Sequence, residues 1–267
     1  MVVTKQFAQR LEQSEIDTLF SRLKAIKAID GNPMKVDIQQ FGHATAFSAK
    51  NIPGPSFNTV KGLKEGDEEY IDSIIDFYRQ KEIPVRFEVT PGHSSPKLLA
   101  YLSEKGFYQT DFHTTLFQSF SKGCHLSSNS EISIRRLNDD EFDLFAEIYV
   151  KGFQMPAFVK DGVAQNNKVL SSNENWSFYL ASVENEPAGI GVLFCKNKVA
   201  TLAAAVTVPT FRNRGVQQSL LKHRMNQAIL NDCELLVGQA RFGSVSQNNM
   251  ERVGMKIAYT KAIWVRK

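Results

Sequence analysis

The run Val206-Thr207-Val208-Pro209-Thr210-Phe211-Arg212-Asn213-Arg214-Gly215-Val216-Gln217-Gln218 holds the residue types best suited to chemistry. An apolar, β-branched stretch stops at Pro209, a basic turn closes at Gly215, and a helix-period pattern follows. A strand that hands over to a helix in this way aims unpaired backbone N–H groups at one point. The helix dipole adds partial positive charge there, and Arg212 and Arg214 add full charges. That chemistry is the binding of a phosphate or pyrophosphate. A solvated loop is the alternative for a glycine and two arginines alone; the strand before them and the amphipathic helix after them favour the anion site.

The elements that must position this turn alternate between strand and helix. Residues 132–137 alternate as a strand, and Asn138 to Glu141 mark a helix start ahead of Phe142, Phe145, Ile148 and Tyr149. A short helix is predicted at 160–170, strands at 176–183, 187–195 and 199–208, and a helix from Arg214 to Leu230. A strand at 234–239, a helix at 244–253 and a strand at 256–265 complete the C-terminal half. The N-terminal half begins with an amphipathic helix within 4–27, not a secretion signal. It then shows a strand at 57–63, a helix at 67–81, a strand at 84–90, a helix at 95–105 and a strand at 107–118. Leu102 to Phe107 mirrors Met250 to Met255: a short helix stops at Gly106 or Gly254 and a strand follows. The two halves thus read as a diverged duplication. The junction at 62–69 carries Glu65, Asp67, Glu68 and Glu69 where the second half carries arginines. Acidic residues satisfy the same helix dipole and repel an anion, so the first half keeps the scaffold without the ligand site.

Composition limits the remaining classes. The chain has 267 residues, a length that predicts two domains, and a net charge of +4, too small to suggest a nucleic-acid partner. The small polar residues of 119–131 predict a linker. No apolar run is long enough for a membrane span. Cys124, Cys195 and Cys233 form no Cys-x-x-Cys pair and are expected to be reduced thiols in a cytoplasmic protein, with Cys195 and Cys233 as core residues. No metal-ligand spacing occurs. A monomer or homodimer is expected.

At the basic turn the chain resembles the GNAT superfamily of acyl-CoA-dependent N-acyltransferases, whose signature there is Gln/Arg-x-x-Gly-x-Gly/Ala. Arg212, Gly215 and Gln217 fall on its three positions, the last with glutamine for a small residue, as in a bacterial subgroup. The block from Ser246 to Met255, followed by Tyr259-Thr260, is similar to that subgroup's fourth helix and last strands. The resemblance covers 132–267 well and 36–118 weakly. It implies an α/β (α+β) fold of tandem GNAT-like repeats, each a mixed, mostly antiparallel twisted sheet flanked by helices. Residues 1–118 would be a degenerate repeat and 132–267 an acetyl-CoA-binding one.

The resemblance also implies a site. The CoA pyrophosphate would rest on Arg212, Asn213, Arg214, Gly215, Val216, Gln217 and Gln218. The pantetheine arm would pair with the backbone around Val206 and Val208, and Ser246 and Asn249 would touch that arm or the thiol. The acetyl group would pass to a small-molecule amine or a peptide amino terminus by direct attack. Departures from the family leave catalysis open. Met250 stands where many members carry a tyrosine that protonates the leaving thiolate, and the 199–208 strand has no carboxylate for a general base. Tyr259 and Ser246 are the candidates, with core packing and helix capping as their other readings. Phe153, Met155 and Phe158 would line the acceptor pocket or pack on the core. Two other functions fit the same residues: a non-catalytic CoA-binding sensor, or a tRNA-dependent aminoacyl transferase, which the modest charge disfavours.

Overall fold

The computed structural model describes residues 2–120 and 131–266. In chain order the elements are α1 (Lys5–Lys27), β1 (Val36–Phe41), β2 (Ala44–Ala49), β3 (Thr59–Lys61), α2 (Ile71–Arg79), β4 (Arg86–Val89), α3 (Pro96–Glu104) and β5 (Phe107–Ser119). There follow β6 (Ile132–Arg136), α4 (Phe142–Phe153), α5 (Lys160–Ser171), β7 (Trp176–Val183), β8 (Glu186–Lys196), β9 (Val199–Thr207), α6 (Val216–Leu230), β10 (Leu235–Arg241), α7 (Val245–Arg252) and β11 (Lys256–Arg266). The order strand-strand-strand-helix-strand-helix-strand occurs twice, from β1 to β5 and from β7 to β11. Two compact units result. Unit 1 holds the chain up to Thr115, Gln239–Ser244 and everything from Ile257; unit 2 holds Leu116–Gly238 and Val245–Lys256. The sequence reading keeps all of 132–267 together, whereas β11 falls in unit 1 because its register partner is β4, Ala262 opposite Val89 and Val265 opposite Arg86. The expected linker at 119–131 lies almost wholly outside the described residues.

Unit 1 orders its strands β1-β2-β3-β4-β11-β5. Thr4 caps α1 by accepting from Phe7 N–H at 3.2 Å. The hairpin of β1 and β2 turns at Gly42-His43, with Phe41 opposite Ala44. Its core gathers Phe41, Phe77, Tyr78, Phe87, Leu98, Leu102 and Phe107. Beside that apolar core lies a buried ionic network. Lys261 Nζ pairs with Glu15 and with Glu88 Oε2 at 2.7 Å, Lys61 Nζ reaches Glu88 Oε2 at 2.6 Å, and Arg86 donates to Glu88 Oε1 at 2.8 Å. Glu12 accepts from Thr90 Oγ1 at 2.9 Å and lies 3.0 Å from His93 Nε2. These charges tie α1 to β3, β4 and β11.

Unit 2 orders its strands β10-β9-β8-β7-β6. From β6 to β9 the pairing is antiparallel, and β10 runs parallel to β9. The register of β8 on β9 slips between Val192 and Leu193: Val192 faces Ala204 and Leu193 faces Leu202, so Ala203 is the extra residue of a bulge. Arg224 of α6 is fully buried against this irregularity. Its guanidinium donates to Leu220 O at 3.1 Å, Val192 O at 3.2 Å and Ala204 O at 3.0 Å. Burial pushes its pKa down to about 10. A side chain on Gly191 would meet Arg224 at 3.1 Å, so the glycine makes room for the guanidinium.

Candidate functional site

The strand-to-helix turn of unit 2 is built from its backbone. Phe211 N–H returns to Val208 O and Arg212 N–H to Pro209 O, closing a short 3-10 turn. Asn213 at φ 63° and Gly215 at φ 81° then bend the chain into α6. Gly215 occupies the left-handed region that a residue with Cβ adopts only under strain. It therefore breaks the helix expected from Arg214, and α6 starts at Val216 with no side-chain cap. The first helical bond runs from Ser219 N–H to Gly215 O at 3.0 Å. Val216, Gln217 and Gln218 thus present N–H groups without a helical acceptor, at the positive end of the dipole.

A second open set of backbone groups lies on β9. Its pairing with β10 covers only Val199 to Thr201, while the strand continues to Thr207. Val208 N–H donates to Ala188 O at 2.9 Å, and Val206 faces Ile190. By the two-residue alternation of an antiparallel ladder, Ala205 and Thr207 turn their N–H and C=O to the opposite edge, which β10 has left. Thr207 Oγ1 is buried without a hydrogen-bond partner.

These two features open on one cavity of about 690 Å³. It is lined by Gly152, Phe153, Ala205, Val206, Thr207, Phe211, Arg212, Asn213, Gly215, Val216, Gln217, Gln218, Val245, Ser246, Asn249 and Arg252. The structure thus brings together Val206, Arg212, Asn213, Gly215, Val216, Gln217, Gln218, Ser246 and Asn249 from the expected cofactor set. Val208 and Arg214 do not line it. Arg214 pairs instead with Glu184 and lies over the Phe211 ring. Arg212 lines the cavity but spends one N–H on Gly152 O at 3.0 Å, which fixes the turn against the end of α4. Ser246 sits in the first turn of α7, with Ser244 just before the helix.

The other expected site residues scatter. Phe153 lines the cavity, whereas Met155 does not, and Phe158 is 83% exposed, neither core nor lining. Tyr259 lies in unit 1, 7% exposed. Burial, then the charges of Glu15 and Glu12, push its phenol well above the usual range. Met250 is buried, its sulfur packed over Gly238. The lining residues include no carboxylate and no imidazole. Sequence reasoning missed Ala205, Thr207, Phe211, Val245 and Arg252. The first two need the strand register to be found; Arg252 follows from its place one helical turn beyond Asn249, to whose Oδ1 it donates at 3.2 Å.

At the matching junction of unit 1, carboxylates take up backbone donors. Gly62 N–H donates to Glu12 Oε1 at 3.1 Å, Lys64 N–H to Asp67 Oδ2 at 2.9 Å, and Gly66 N–H to Glu68 Oε2 at 2.8 Å. Asp67 Oδ1 also takes His43 N–H at 3.0 Å.

No family model and no curated protein matches the chain. Solved structures do. A GCN5-related N-acetyltransferase from Kribbella flavida is 10% identical with a TM-score of 0.64, over 96% of this chain and 95% of that one. A tandem GNAT protein from the clavulanic acid biosynthesis pathway is 11% identical with a TM-score of 0.63, over 94% of each chain. A GCN5-related N-acetyltransferase from Sphaerobacter thermophilus is 11% identical with a TM-score of 0.63, over 91% of this chain and 84% of that one. The likeness is one of fold: this chain has the tandem GNAT architecture.

Proposed function

We propose that unit 2 binds acetyl-CoA and transfers its acetyl group to a primary amine, either a small molecule or a peptide amino terminus. The observation that carries this reading is the cavity on which the uncapped start of α6 and the unpaired edge of β9 both open. The N–H groups of Val216, Gln217 and Gln218 match a pyrophosphate, with Asn213, Gly215 and the Arg212 charge around them. Pantetheine carries amide groups that can add to a strand edge, and Ala205 and Thr207 offer that edge. An N–H on the same edge suits the oxyanion of a tetrahedral intermediate.

In this scheme the neutral amine attacks the thioester carbonyl directly, and CoA leaves as the thiol. Because the lining holds no carboxylate and no imidazole, the acceleration rests on holding both substrates together and on the oxyanion contact. Phe153, Phe211 and Val245 give the cavity an apolar side, suited to an acceptor with hydrophobic substance near its amine.

The test is release of free CoA thiol from acetyl-CoA across a panel of amines and peptides. Release that depends on the amine, and that is lost in Gly215→Val, supports the transferase. The missing base and the buried Met250 favour one other reading, a CoA-binding sensor. Saturable acetyl-CoA binding with no thiol release for any amine would select it.

A further inference from the structure

Two thiols far apart in sequence meet in unit 2. Cys195 lies near the end of β8, opposite Ala200 of β9. Cys233 lies between α6 and β10, where Leu235 pairs with Val199 and Glu234 N–H donates to Lys198 O at 2.9 Å. The start of β10 therefore runs beside the turn that leaves β8, which brings the Cys195 and Cys233 side chains to the same end of the sheet. Cys195 Sγ also accepts from Asn231 Nδ2 at 3.7 Å. The two differ in access: Cys195 is half-buried, against the core position expected from its apolar strand, and Cys233 behind it is 6% exposed. Neither is in a disulfide.

The thiolate is the reactive form of cysteine. Hydrogen bonds from the Cys233 thiol and the Asn231 amide draw the Cys195 pKa down, against the opposing effect of burial. Its partner shifts the other way, because Cys233 gives its proton to that contact and is itself buried. The arrangement is an attacking thiol at the surface with a second thiol held behind it.

We infer that Cys195 and Cys233 form an oxidation site, at which a peroxide oxidises Cys195 and Cys233 closes the product to an intramolecular disulfide. In the first step the Cys195 thiolate takes one oxygen of hydrogen peroxide. The O–O bond breaks, hydroxide leaves, and the sulfur becomes a sulfenic acid. In the second step the Cys233 sulfur attacks the sulfenic sulfur. The S–S bond forms, the S–O bond breaks, and the hydroxyl leaves with the Cys233 proton as water. Two electrons pass from the sulfur pair to the peroxide. The bridge ties the end of β8 to the start of β10 across β9, at the short parallel register of Val199–Thr201, beyond which β9 has its open edge.

The experiment uses full-length protein carrying Cys124→Ser, so that Cys195 and Cys233 are its only thiols, treated with hydrogen peroxide and analysed by thiol titration and mass spectrometry. Both thiols should disappear together, the intact mass should fall by two hydrogen atoms, and a Cys195–Cys233 peptide should appear that dithiothreitol reverses. In Cys233→Ser, a dimedone adduct should accumulate on Cys195. In Cys195→Ser, Cys233 should stay unmodified at the same dose. Two thiols still titratable after peroxide would overturn the inference, as would dimedone labelling of Cys233 in preference to Cys195 or disulfides formed only between chains.

Discussion

The junction after β3 and the junction after β9 begin from the same chain order and end with opposite chemistry. In unit 1, carboxylates of Glu12, Asp67 and Glu68 take the N–H groups that follow the strand. In unit 2 the N–H groups of Val216, Gln217 and Gln218 have no helical acceptor and border a cavity. Geometry alone does not separate them, since both turns use left-handed glycines, Gly62 and Gly66 against Gly215. Occupancy does. An N–H already paired with a carboxylate offers nothing to a phosphate, and the carboxylate's charge repels one. What distinguishes a ligand site from a scaffold here is which donors the chain leaves unspent.

The largest break expected is in the closed half. Burial alone would raise the Glu88 pKa, but Lys261, Lys61 and Arg86 together hold it well below the ordinary carboxylate value of 4.5. A depressed carboxylate stabilises fully above its unfolded value, and the contribution is lost as pH falls through the folded one. Lys261→Met removes one of the two lysines shared by Glu15 and Glu88, and should cost about 3–5 kcal/mol in chemical denaturation. Its acid unfolding should begin at a higher pH than that of the parent protein. The acetyl-CoA affinity of the molecules that remain folded should not change.

Next in size is the open half. Ligand at about 100 times its dissociation constant should stabilise the parent by about 2.7 kcal/mol, visible as a rise in melting temperature. Gly215→Val forces a β-branched residue into φ 81° and should abolish that rise. The backbone strain should cost about 1–3 kcal/mol, leaving the fold intact. Asp67→Ala is the counterpart in unit 1. Removing the acceptor of Lys64 and His43 N–H should destabilise by about 1–3 kcal/mol without altering the acetyl-CoA response. Smallest of all is Arg214→Ala. Its pair with Glu184 is exposed, at 45% and 79% of the two side chains, so stability should move by less than about 1 kcal/mol. Acetyl-CoA affinity should fall by less than about tenfold, and less still at high salt.

Much of this contrast can be read from residue types. Gly215, the flanking arginines and the acidic run at 65–69 carry their chemistry in their identities. Other parts depend on partners distant in sequence. Glu12 caps Gly62 from α1, and nothing local to either residue signals it. The β1–β2 hairpin was not expected because Ala44–Ala49 is buried at every position and rich in small residues, so no alternation shows. Arg224 is buried because the carbonyls of Leu220, Val192 and Ala204 accept from it, and two of these belong to β8 and β9. Val208 is expected to offer its backbone to a ligand, yet its N–H is committed to Ala188, and the open positions are Ala205 and Thr207.

Isothermal titration of the full chain with acetyl-CoA tests the contrast between the junctions most directly, because it counts sites. One site per chain, present in the parent protein and in Asp67→Ala and absent in Gly215→Val, is the result that follows from an open junction in unit 2 and a closed one in unit 1. No saturable binding, two sites per chain, or a single site that survives Gly215→Val would contradict it.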